Sequence, residues 1–106
     1  MPKYLITGSY SPSGIKGVLA EGGSARRAAI EKLASSVGGK LDSFYFGFGS
    51  DDFYVTLDLP GNEAAAAASL IVGAAGGASS RVVVLLTPEQ VDAAVKLSPS
   101  YRAPGA

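Results

Sequence analysis

Four segments rich in aromatic and β-branched residues set narrow limits on how this chain can fold: Lys3–Tyr10, Lys40–Gly49, Phe53–Leu59 and Arg81–Leu86. Ser50-Asp51-Asp52 is turn chemistry, and so short a link between the second and third segments predicts an antiparallel hairpin. The longer intervals carry helical spacing instead. Ser11-Pro12 offers an N-cap followed by a proline at the first helical position, where its missing N–H costs nothing. Ile15, Val18 and Leu19 follow as an apolar stripe, and Gly22-Gly23 ends that helix. Ser24 is the expected cap of a second segment, striped by Ile30, Leu33, Ala34 and Val37. Gly38-Gly39 closes it, with the second glycine placed to take a positive φ. Pro60-Gly61-Asn62 breaks the third strand and leads into a helix over Glu63–Gly76. Thr87-Pro88-Glu89-Gln90 has the form of a capping box for a last helix reaching Leu97, with an extended tail from Ser98.

The predicted order is β-α-β-β-α-β with an added C-terminal helix. The expected fold class is therefore α+β, a ferredoxin-like four-stranded antiparallel sheet with helices on one face, formed by residues 1–106 as one domain. Side chains alternate along a strand, so each strand offers two rows. Phe53, Val55, Leu57 and Leu59 are assigned to the helix-covered core, opposite Tyr54, Thr56 and Asp58. Phe44, Phe46 and Phe48 oppose Leu41 and Tyr45, and Val82, Val84 and Leu86 oppose Val83 and Leu85. Tyr4 and Ile6 oppose Leu5 and Thr7. On this pattern the sheet is apolar on both faces, and an exposed face of that kind normally marks an interface. A homodimer or higher homo-oligomer packed sheet to sheet is the preferred expectation. The alternative is a C-terminal helix folded back over the second face.

Composition removes whole classes of function. Lys plus Arg and Asp plus Glu are 9 each, giving a net charge of zero and no electrostatic footprint for nucleic acid or anionic lipid. Cysteine and histidine are both absent, which excludes disulfides and catalytic triads built on His or Cys. No metal site and no cofactor are expected. The start, Met1-Pro2-Lys3-Tyr4, lacks the pattern of a signal peptide, and a cytoplasmic setting is expected. Ala64–Ser80 is uncharged but too short and too rich in Ala and Gly for a membrane span.

The remaining candidates for chemistry are few. Arg26 extends the stripe of Ile30, Leu33 and Val37, so it either snorkels to water or points into a pocket. Arg27 is placed to pair with Glu31 at i, i+4. Gly22-Gly23-Ser24 ahead of Arg26-Arg27 can be an anion site or a plain helix break. Tyr10, Tyr45 and Tyr54 could bring phenols to a cleft, although a strand tyrosine is more often core with a satisfied hydroxyl. Asp51-Asp52 could hold a hard cation but reads more simply as turn residues; Asp52 and Asp58 could act as bases if partly buried.

The chain also resembles the GYD-domain family. The matching pieces are Lys3-Tyr4, Gly8-Ser9-Tyr10, Gly14-Ile15-Lys16-Gly17 and Glu21-Gly22-Gly23-Ser24-Ala25-Arg26-Arg27. They continue in Phe44-Tyr45-Phe46-Gly47-Phe48-Gly49, Asp58-Leu59-Pro60 and Thr87-Pro88-Glu89. Gly49 and Asp52 match the ends of the Gly-Tyr-Asp signature, while Ser50-Asp51 stands where the tyrosine belongs. The resemblance implies the dimeric α+β barrel type, in which two ferredoxin-like subunits pack sheet on sheet, and it supplies no catalytic residues. Fold does not choose among the functions of that architecture. The leading expectation is a homodimeric module binding a small apolar or weakly acidic molecule, with Tyr10, Arg26, Tyr45, Asp52 and Tyr54 as liners. Alternatives are a cofactor-independent enzyme of monooxygenase or isomerase type, with Asp52 or a tyrosine moving a proton, and a purely structural dimerisation protein.

Overall fold

A computed structural model describes residues 1–106. Its order is β1 (Lys3–Tyr10), α1 (Pro12–Glu21), α2 (Gly23–Ser36), β2 (Lys40–Phe46), β3 (Phe53–Asp58), α3 (Asn62–Ala75), β4 (Ala78–Leu85) and α4 (Pro88–Val95). The strands form one antiparallel sheet in the order β2-β3-β1-β4, the ferredoxin-like arrangement, with β2 and β3 joined as the expected hairpin. No helix is long and apolar enough to cross a membrane.

Ten of the 106 residues are buried, and most of them lie along β1 and β3, so these central strands carry the core. Tyr4, Phe53, Val55, Leu57 and Leu59 pack there with Ala34 of α2 and Ala65 of α3. Full burial of Leu57 and of Leu59 contributes roughly 1.5–3 kcal/mol each. Tyr4 is 1% exposed, and its hydroxyl donates to Asn62 Oδ1 at 2.7 Å, which ties β1 to the start of α3. The capping box at Thr87 forms as the sequence predicts, with Thr87 Oγ1 accepting from Gln90 N and Gln90 Oε1 accepting from Thr87 N.

Several local expectations are corrected. A register shift between Leu41 and Ser43 brings Leu41 to the core side with Phe44, because an extra residue resets the strand's alternation. Gly38, not Gly39, takes the positive φ (83°); Gly39 is needed because a Cβ there would lie 2.3 Å from the Asp58 carbonyl oxygen. The N-cap of α2 is Gly22 (φ 84°), and Ser24 sits inside the first turn without capping it. In α1 the inward row is Gly14, Gly17 and Val18, leaving Ile15 and Leu19 exposed.

The largest correction concerns the sheet face turned away from the helices, which is mixed rather than apolar. Leu5, Val83, Leu85, Tyr45 and Tyr54 lie there among a ladder of paired polar groups. Lys3 Nζ bridges Asp58 at 2.9 Å and Asp42 at 3.1 Å. Ser43 and Thr56 share a 2.6 Å hydrogen bond, and Thr56 also donates to Asp42. Thr7 donates to Asp51, which is paired with Arg81. Nor does α4 fold back over this face: every residue from Leu86 to Ala106 is exposed.

Candidate functional site

Behind the sheet, where β1 meets the helices, lies a cavity of about 220 Å³. Its walls are Tyr10 from β1, Gly14, Gly17 and Glu21 from α1, Arg26 from α2, Val72 and Ala75 from α3, and Gly77 and Ala78 at the start of β4. The space exists because of glycine. At Gly14 a Cβ would lie 2.0 Å from the Gly77 carbonyl oxygen, so α1 can press onto that backbone only as glycine. The Ser11 N–H donates to the same carbonyl at 2.9 Å and fixes the approach. One turn later a Cβ on Gly17 would meet nothing within 4 Å. A glycine inside a helix costs roughly 0.5–1 kcal/mol relative to alanine. At Gly17 no close contact demands it, and its effect is to leave room.

Three polar side chains line this otherwise small-residue space: Tyr10, Arg26 and the exposed Glu21. Arg26 is half-buried, and its Nε is fully buried with no hydrogen-bond partner. None of the ion pairs in the protein involves it, Glu21 at the rim included. Arg27, its neighbour, faces outward and reaches Glu31 at 3.9 Å, the i, i+4 contact read from the sequence. The Tyr10 ring is held by Phe53 at 5.0 Å and Phe46 at 6.4 Å between centroids. Burial pushes the Tyr10 phenol above its ordinary value of 10.0. Hydrogen bonding from the Arg26 guanidinium and its charge oppose the rise, and the Asp52 charge adds to it. The phenol is thus a neutral donor throughout the physiological range.

Of the five residues singled out from the sequence, the structure brings Tyr10 and Arg26 to one cavity. Asp52 lies behind them: its Oδ2 accepts from the Tyr10 N–H at 3.0 Å, and its own N–H donates to the Gly8 carbonyl at 2.7 Å. Asp52 therefore anchors the hairpin to the end of β1, while Asp51 points the other way to Thr7 and Arg81. Tyr45 and Tyr54 are cross-strand partners on the open face, 69% and 41% exposed, and do not reach the cavity. Tyr45 instead borders an outer groove of charged residues, among them Arg27, Glu31, Lys40 and Asp42. Sequence reasoning missed Glu21, Val72 and the small residues of the wall. The available signal was the pair Gly14 and Gly17, three apart in a helix that tolerates neither without reason.

The sequence model of the GYD domain family matches residues 4–95, so the chain belongs to that family. No curated protein and no solved structure matches it.

Proposed function

We propose that this GYD-domain protein is a homodimeric module that binds a small, weakly acidic molecule in the cavity between α1, α2, α3 and β1, in a cytoplasmic setting. One observation carries the proposal: the Arg26 side chain, which belongs to none of the protein's ion pairs, lines a cavity together with the Tyr10 phenol. A half-buried guanidinium without a paired carboxylate gains from an anionic acceptor in that space, because charge-assisted hydrogen bonds are the strong ones. Gly, Ala and Val walls suit a compact apolar body, and a volume of about 220 Å³ sets its size at a few ring or chain atoms. The ligand's acidic group would face Arg26 and accept from the Tyr10 hydroxyl as well.

Native mass spectrometry of freshly purified protein reports oligomer size and retained ligand together. The expected result is a dimer carrying a small acidic adduct, or one that takes up short carboxylic acids. Gly17→Leu is the matched control, because Gly17 lines the cavity and a Cβ there meets nothing within 4 Å. Relief of the helix-interior glycine should let it fold as stably as the wild type, and it should lose uptake at least tenfold. Uptake unchanged by that substitution would place any ligand elsewhere.

The enzyme alternative now leans on Tyr10 alone, because the Asp52 carboxylate is engaged by the Tyr10 N–H and stands outside the cavity wall. A phenol with a raised pKa serves as a proton donor rather than a base at neutral pH. Turnover of a bound acid that disappears in Tyr10→Phe, with binding retained, would favour that alternative over plain binding.

A further inference from the structure

The last part of the chain is built as a helix yet leaves every one of its residues exposed in its own copy. Pro88–Val95 has a complete capping box and a proline in its first turn, so its formation is locally encoded. Eight residues are nevertheless too few for a helix to persist alone in water, where about 12–15 are marginal. Its apolar residues are in solvent: Val91 is 47% exposed, Val95 71%, Leu97 80% and Tyr101 78%. The arm stretches the molecule to 56 × 33 × 23 Å with a radius of gyration of 16.8 Å, against about 13 Å for a compact chain of this length.

We infer that Pro88–Ala106 is an exchanged arm, whose Val91 and Val95 side docks on a second copy of the chain in the groove between α3 and the edge strand β4. That groove is apolar, about 350 Å³, and lined by residues including Ala65, Ala66, Val82 and Val84. The inference rests on the homodimer reading above and specifies its contact. Area supports this occupant. Together with Val84 (55%) and Leu86 (60%), the four arm residues expose roughly 700 Å² per copy, close to the ~800 Å² that each partner of a stable interface buries. Charge supports it too. Glu89 and Asp92 balance Lys96 and Arg102 on the arm, and the whole chain is neutral, so two copies meet without net repulsion. The same neutrality gives no attraction for a nucleic acid or an anionic lipid surface. A twofold pair satisfies both arms at once, since each arm finds the other copy's groove.

The test uses the full chain in two measurements across a dilution series, sedimentation velocity and amide hydrogen exchange of residues 88–96. The expected result is a dimer whose α4 amides are protected at high concentration and lose that protection on dilution. Val91→Asp with Val95→Asp should raise the dimer dissociation constant on the order of a hundredfold, as removal of central apolar anchors does. At a dilution where the wild type is already monomeric, thermal unfolding should be unchanged, because both residues are exposed in the single copy. A wild-type monomer at every concentration overturns the homodimer reading and the arm together. A dimer indifferent to the double substitution overturns the arm alone. Protection of α4 that does not depend on concentration would mean the arm closes on its own copy, and also overturns it.

Discussion

On the two sides of the sheet the protein treats charge in opposite ways. On the open face, charged groups are matched with near neighbours: Lys3 with Asp58 and Asp42, Arg81 with Asp51. Thr7, only 5% exposed, gives its hydroxyl to Asp51, and Thr56 gives its own to Asp42. On the helix side Arg26 lines a cavity with no carboxylate paired to it, and its Nε is buried without a partner. A matched surface ladder is a structural solution, and it gives β-strands register at little net cost. An unmatched buried donor is a stability debt that a functional protein keeps for a reason. The contrast separates residues that look equally interesting in the sequence: Asp51 and Asp52 serve the fold, while Arg26 and Tyr10 face space.

The strongest way to break this contrast is to destroy the frame of the cavity. Gly14→Val sets a Cβ 2.0 Å from the Gly77 carbonyl, a backbone atom that cannot turn aside. We expect a loss of more than about 3 kcal/mol in urea unfolding, in the range reserved for severe overpacking. A near-neutral result would mean that α1 does not press on β4 as described. On the open face, Asp51→Ala leaves the buried Thr7 hydroxyl without its acceptor. The expected cost is about 1–3 kcal/mol by the same measurement.

Arg26→Leu sharpens the contrast through its sign. Removing a buried, unpaired donor while keeping apolar bulk should leave stability unchanged or raise it by up to about 1 kcal/mol. Uptake of small acids should fall at least tenfold. Destabilisation larger than that of Asp51→Ala would show Arg26 to be a structural group, and the two sides would then be alike.

The smallest effect lies in the pH profile of the open face. Hydrogen bonds from Lys3 and Thr56 hold the Asp42 carboxyl below its ordinary 3.8. A group depressed in the folded state contributes stability above its unfolded value and loses it as pH falls through the folded value. Asp58 first, then Asp42, raise Lys3 above 10.5, so its contribution persists below 10.5 and fades as pH rises through the folded value. The cluster should therefore be flat between about pH 4 and 10. Asp42→Asn should flatten the acid limb of a melting-temperature profile slightly and leave the neutral region nearly unchanged. A dominant change near neutrality would contradict the assignment.

Much of the fold was legible because local signals agreed. The hairpin, the alternating row of β3 and the capping box at Thr87 are short-range patterns and all three form, although β2 ends at Phe46 rather than Gly49 and leaves Phe48 in solvent. Legibility failed where a neighbour at long range decided the outcome. The bulge at Asp42 moved Leu41 to the core, and Gly14 and Gly17 turned inward in place of Ile15 and Leu19. The open face was misjudged because β1 and β4 were read strand by strand. Their polar members, Lys3, Thr7 and Arg81, acquire meaning only beside Asp58, Asp42 and Asp51 from other strands. The candidate site divided for the same reason: Tyr10 and Arg26 share a cavity, and Tyr45 and Tyr54 share the opposite face.

By itself the amino-acid sequence determined the element order, the hairpin, the caps of α1 and α4 and the absence of His and Cys chemistry, because propensity, turn geometry and composition act within a few residues. Tertiary structure alone decided which charges are matched, where glycine opens a cavity, and that α4 stands clear of its own sheet. Those outcomes depend on atoms brought together from distant parts of the chain. No local pattern encodes a distance between them.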